Sequence, residues 1–105
     1  MYKSNNYPSM QILFTKVVHF TKLIKAGGRL REFNLRKLKH PEKELFSIDT
    51  VDDRGNRIIF HSEKIGGIWH NVPGEHPLPA WVSEVESKIG DTIEEELRNV
   101  SGSSF

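Results

Sequence analysis

Between Lys16 and Lys43 the chain carries nine lysines and arginines against two glutamates, gathered around the pair Gly27-Gly28. Dense positive charge neutralises phosphates, and exposed aromatic rings stack on bases. Lys22, Lys25, Arg29, Arg31, Arg36, Lys37 and Lys39 are therefore the candidate nucleic-acid contacts, with Phe20 and Phe33 interleaved among them. Lysines also protect exposed strand edges against aggregation. The stretch reads either as a nucleic-acid-binding hairpin or as the solvated face of a sheet. The main-chain N–H groups of Ala26–Arg29 could meet a phosphate, but glycines at a hairpin turn need no purpose beyond supplying φ > 0.

Other chemistry is thinner. The sequence holds no G-x-S-x-G, H-E-x-x-H, P-loop or S-x-x-K motif, so no catalytic residue is assigned. Glu94-Glu95-Glu96 are consecutive on a predicted helix and point in different directions. Asp52 and Asp53 flank a turn, where aspartate bonds its own backbone. His61, His70, Glu75 and His76 could approach one another, with His61 and His70 side by side on adjacent strands. No known zinc-ligand spacing supports them, and no metal or other cofactor is expected.

Length and composition bound the rest. The 105 residues suffice for one domain with a modest core. Cysteine is absent, which excludes disulfides, thiolate metal sites and cysteine nucleophiles. "MQILF" is too short for a signal-peptide core and no apolar run is long enough to span a membrane, so a cytoplasmic protein is expected. Net charge is +1, but residues 1–57 hold 12 Lys/Arg and 6 Asp/Glu, whereas residues 58–105 hold 3 and 8. Such asymmetry fits either a polyanion-facing surface or two halves that neutralise each other within the fold or a homodimer.

These side chains need elements to hold them. Residues 1–9 read as a flexible arm, 10–100 as a single α+β domain, and 101–105 as a flexible tail. Residues 10–26 fit a helical face or a strand; the Gly-Gly turn after them favours a strand from about Thr15. A second strand follows, with Arg31, Phe33 and Leu35 on one face. Leu30 and Leu38 are out of phase with it, which predicts a bulge or burial on both sides. His40-Pro41 opens a connector. In "ELFSIDTVDDRGNRIIFHSEK" a three-residue loop Asp53-Arg54-Gly55 sets Thr50 opposite Ile58, Ile48 opposite Phe60 and Phe46 opposite Ser62. "IGG" turns into a short strand "IWHNV". Ser83 and Glu86 read as a capping box that opens a helix with Val82, Val85, Ile89, Ile93, Leu97 and Val100 on its apolar face. Gly90 weakens that helix or marks a restart at Asp91. "PAW" reads as a helical turn that plugs the core with Trp81. The fold class is α+β: an antiparallel meander of four or five strands packed against one C-terminal helix. The predicted core is Val18, Phe20, Ile24, Phe33, Leu35, Phe46, Ile48, Ile58, Phe60, Trp69, Trp81, Val82, Val85, Ile89, Ile93 and Leu97.

The order of elements over residues 15–99, with "AGGRLREFNLRK" at the first hairpin, resembles the PUR repeat of single-stranded nucleic-acid-binding proteins. The resemblance implies a repeat that pairs with a second copy and strand surfaces that bind single-stranded DNA or RNA. The strand "IWHNV" and the loop "PGEHPLP" depart from that pattern. Three functions follow as expectations. The first is a non-enzymatic module that binds single-stranded nucleic acid through the basic hairpin, as a homodimer. The second is a protein-interaction module that pairs through an exposed sheet face or edge. The third is a small-ligand binder or hydrolase with a pocket between sheet and helix, near Trp69, His70, His76 and Trp81.

Overall fold

A computed structural model describes residues 18–102. The arm at 1–9, the strand start near Thr15 and the tail residues 103–105 lie outside the described residues. Five strands, β1 (His19–Ala26), β2 (Arg29–Leu38), β3 (Leu45–Val51), β4 (Arg57–Ile65) and β5 (Ile68–Pro73), are followed by a helical turn α1 (Ala80–Ser83) and the helix α2 (Glu86–Gly102). The sheet is an antiparallel meander in the order β1-β2-β3-β4-β5. The α+β architecture is thus the one the alternating segments predict.

Turn chemistry sets the strand register. Ala26 faces Arg29 across Gly27 and Gly28, whose φ values of 63° and 82° are those of a type I′ hairpin turn. Gly66 and Gly67 repeat the same turn between Ile65 and Ile68. The β3–β4 hairpin closes as predicted: Thr50 faces Ile58, Ile48 faces Phe60 and Phe46 faces Ser62. Asp52 shapes that loop by accepting the N–H groups of Arg54 (2.9 Å) and Asn56 (2.7 Å).

Strand alternation divides the sheet into a covered and an uncovered face. Phe33, Leu35, Phe46, Ile48 and Phe60 turn to the helix side, where Val82, Ile89 and Ile93 close over them, each 0–1% exposed. Burial of each large side chain stabilises by about 1.5–3 kcal/mol. Ile24, Trp69 and Val85 complete the expected core; Val18, Phe20, Ile58, Trp81 and Leu97 pack at its margin. Ala26 and Leu78 also join it, too small or too isolated in a loop to be recognised in the sequence. The helix-side rings meet edge to face, Phe46 against Trp69 at 5.6 Å and against Phe20 at 6.3 Å.

Three local expectations are corrected. The β1–β2 and β2–β3 registers advance one residue at a time without a bulge; Leu30 and Leu38 simply occupy the uncovered face. Ser83 ends α1 instead of capping α2, and Glu86 reaches across to the Asn71 N–H at 2.7 Å. The helix does not restart at Asp91: α2 runs through Gly90, where a Cβ would stand 3.1 Å from Trp69 Cβ. That glycine is there for close packing of helix on strand.

Candidate nucleic-acid interface

The β1–β2 hairpin holds its cations on two faces. Lys22 and Lys37 lie on the helix side, where both remain exposed beyond the cover of the helices. Lys25 and Arg36 stand exposed on the uncovered face, and Lys39 is exposed just past the end of β2. These five form no ion pair among the described residues.

Arg29 and Arg31 are engaged elsewhere. Asp53, at the tip of the β3–β4 hairpin, receives Arg29 Nη1 at 3.1 Å and Arg31 Nη1 at 2.9 Å. Arg29 stays exposed. Arg31 is 7% exposed, donates from Nε to the Ala26 carbonyl at 2.7 Å, and stacks its guanidinium 3.9 Å from the Trp81 ring centroid. Its placement beside Phe33 and Leu35 was legible from strand alternation. Its partners were not, because Asp53 and Trp81 come from distant parts of the chain.

No phenylalanine, tyrosine or tryptophan ring stands on the uncovered face among the described residues. Phe20, Phe33, Phe46, Phe60, Trp69 and Trp81 all belong to the core or its margin. The interleaved Phe20 and Phe33 therefore offer no open platform for bases.

The uncovered face has its own polar groove, about 490 Å³, lined by His19, Thr21, Asn34, Arg36, Ser47, Asp49 and Arg57. A chain of bonds crosses its floor: Thr21 Oγ1 donates to Asn34 Oδ1 (2.7 Å), Asn34 Nδ2 to Asp49 Oδ1 (3.0 Å), and Arg57 Nη2 to Asp49 Oδ2 (3.3 Å). Asp49 and Arg57 were not singled out in the sequence. The β3–β4 register contained the signal, since pairing Thr50 with Ile58 puts Asp49 and Arg57 diagonally on one face.

On the same face stand Leu23, Leu30, Val51, Ile59, Ile65, Ile68 and Val72, all between 38% and 64% exposed. His61 faces Val72 and His70 faces Glu63, so the two histidines sit diagonally and not side by side. No group of three metal-ligating side chains occurs among the described residues. Trp69 and His70, adjacent on β5, point to opposite faces. Trp81 packs instead on Phe33, with ring centroids 6.5 Å apart. Trp69, His70 and Trp81 are therefore not brought into one lining. Trp69 edges a groove of about 260 Å³ along α2, and His76 one of about 530 Å³ between β4 and its own loop.

Two sites shift proton affinity. Lys64 Nζ (2.9 Å) and Trp69 Nε1 (2.8 Å) both donate to Glu94 Oε2. The hydrogen bond from Lys64, then that from Trp69, lowers the Glu94 pKa, and the same bond raises that of Lys64. Asp52 is lowered chiefly by the Asn56 N–H.

No protein-family model, curated protein or solved structure matches this chain significantly. No described helix is long and apolar enough to cross a membrane.

Proposed function

We propose that this chain is a non-enzymatic binding module that holds single-stranded RNA or DNA by its phosphates around the β1–β2 hairpin. The observation that supports this reading is the set Lys22, Lys25, Arg36, Lys37 and Lys39: four exposed cations on one hairpin and a fifth just past its end, without a carboxylate partner among the described residues. With its phenylalanine and tryptophan rings held in the core or its margin, the module relies on phosphate contacts and depends strongly on salt. Five phosphate contacts to a single strand would weaken affinity about a hundredfold between 50 and 200 mM salt. Fluorescence anisotropy with a labelled oligonucleotide tests this. The variant Lys22→Ala/Arg36→Ala/Lys37→Ala should lose affinity and flatten the salt slope, while Lys88→Ala on α2 should change neither. Absence of binding at the lower salt, or a triple variant with unchanged slope, rejects the reading.

A second reading has its own support. The uncovered face presents seven exposed aliphatic side chains. It also carries three cations, Lys25, Arg36 and Arg57, against three carboxylates, Glu32, Asp49 and Glu63. A surface with equal numbers of both signs and a large apolar area suits an isologous partner, a second copy of this chain. Sedimentation equilibrium tests it: a strict monomer rejects self-pairing.

A further inference from the structure

The two edges of the sheet are finished differently. On β5 the tight turn between Ile65 and Ile68 aims the main-chain groups of Trp69, Asn71 and Pro73 away from β4. Pro73 has no N–H, and the Asn71 N–H is taken by the Glu86 carboxylate at 2.7 Å. That edge has lost two of its three outward donors to a further strand. On β1, Val18 accepts the Lys37 N–H at 2.9 Å, so even-numbered residues turn their main chain toward β2. His19, Thr21, Leu23 and Lys25 turn theirs outward, and nothing among the described residues meets them. A long, regular edge that nothing among the described residues covers is a template for strand addition.

We propose that β1 pairs antiparallel with β1 of a second copy of this chain, about a two-fold axis through Leu23. The inference rests on the self-pairing reading and not on nucleic-acid binding. In this register every residue from Phe20 to Ala26 is paired. Leu23 faces its own counterpart, Thr21 of one copy faces Lys25 of the other, Lys22 faces Ile24, and Phe20 faces Ala26. The outward-turned residues 21, 23 and 25 form the pairs that exchange two N–H···O bonds each. On the uncovered face Leu23, 60% exposed, and Leu30, 64% exposed, join their counterparts into one aliphatic strip across the axis.

Lys22 selects among the alternatives. An axis through Lys22 gives an equally long ladder but sets lysine directly against lysine, which is unfavourable. Axes through Thr21 or Ile24 pair fewer residues of the strand. Two cationic hairpins meet in the dimer, so added salt tightens pairing while it weakens polyanion binding.

The absence of cysteine makes the test direct, since an introduced thiol meets no native one. Facing residues of a hydrogen-bonded antiparallel pair have Cα atoms about 5.5 Å apart, within disulfide range. Under mild oxidation Leu23→Cys should form a disulfide-linked dimer, Thr21→Cys should not, and Thr21→Cys/Lys25→Cys should. Leu23→Pro removes an outward N–H that no bond within one copy uses, so the chain should keep its circular dichroism while its dimer dissociation constant rises about tenfold or more. A monomer by sedimentation overturns both self-pairing and this interface. A dimer that Leu23→Pro leaves intact, or that cross-links through Thr21→Cys in preference to Leu23→Cys, overturns this interface alone.

Discussion

The guanidinium of Arg31 lies 3.9 Å from the ring centroid of Trp81, on the covered side of the sheet. The pair ties the first hairpin to the helical turn that follows the last strand. Arg31 also reaches the Ala26 carbonyl and Asp53, so one buried side chain links the β1–β2 turn, the β3–β4 turn and α1. Arg31→Ala should cost about 2–4 kcal/mol in urea unfolding, because it removes the stacking, the second bond to the Ala26 carbonyl and the ion pair with Asp53. Arg31→Lys keeps the charge but loses the planar fork, and should cost less. Neither should change the salt slope of oligonucleotide binding where the variant is folded.

The two glycines of the first turn should respond unequally to alanine. At Gly28 a Cβ meets nothing within 4 Å, so Gly28→Ala bears only the cost of φ = 82°, roughly 1–2 kcal/mol. At Gly27 a Cβ would stand 2.9 Å from Trp81 Cβ, a contact with no flexible end to yield. Gly27→Ala should therefore unfold at clearly lower denaturant than Gly28→Ala, with the m-value unchanged.

Gly90→Ala is a contrary case to helix propensity. In an open helix interior the substitution stabilises by about 1 kcal/mol. Here Trp69 stands 3.1 Å from the new Cβ and is held by Phe46 and by its bond to Glu94. The thermal midpoint should fall instead of rising.

The Lys64–Glu94 pair should make stability depend on pH at both ends of the scale. The folded pKa of Glu94 lies below 4.5, so its contribution is complete above that value and is lost as pH falls through the folded pKa. The folded pKa of Lys64 lies above 10.5, so its contribution is complete below that value and is lost as pH rises through the folded pKa. Glu94→Gln should flatten both limbs of a melting-temperature profile and leave the plateau between them level.

Ser62 presents a buried hydroxyl, 0% exposed, without a hydrogen-bond partner among the described residues. Ser62→Ala removes an unsatisfied polar atom and should stabilise by roughly 1 kcal/mol in equilibrium unfolding.

The sequence by itself determined the local geometry of this protein. Alternation named the covered faces of β2, β3 and β4, the Asp53-Arg54-Gly55 loop set a hairpin register, and glycine pairs marked the tight turns. Each of these signals lies within about twenty residues, where period and turn chemistry act directly. The basic hairpin was legible as composition too. The tertiary structure alone decided what its charges do. Arg31 faces inward because its strand does, and its guanidinium finds partners there because Asp53 and Trp81 arrive from remote segments. The same holds for Glu86: local spacing fits a helix cap, but packing α2 against β5 offers it an edge N–H that no other described group meets. Pairings between distant segments leave no periodic trace in the chain. They decided that the Asn71 N–H on one edge of the sheet is taken by Glu86, while the other edge meets nothing among the described residues.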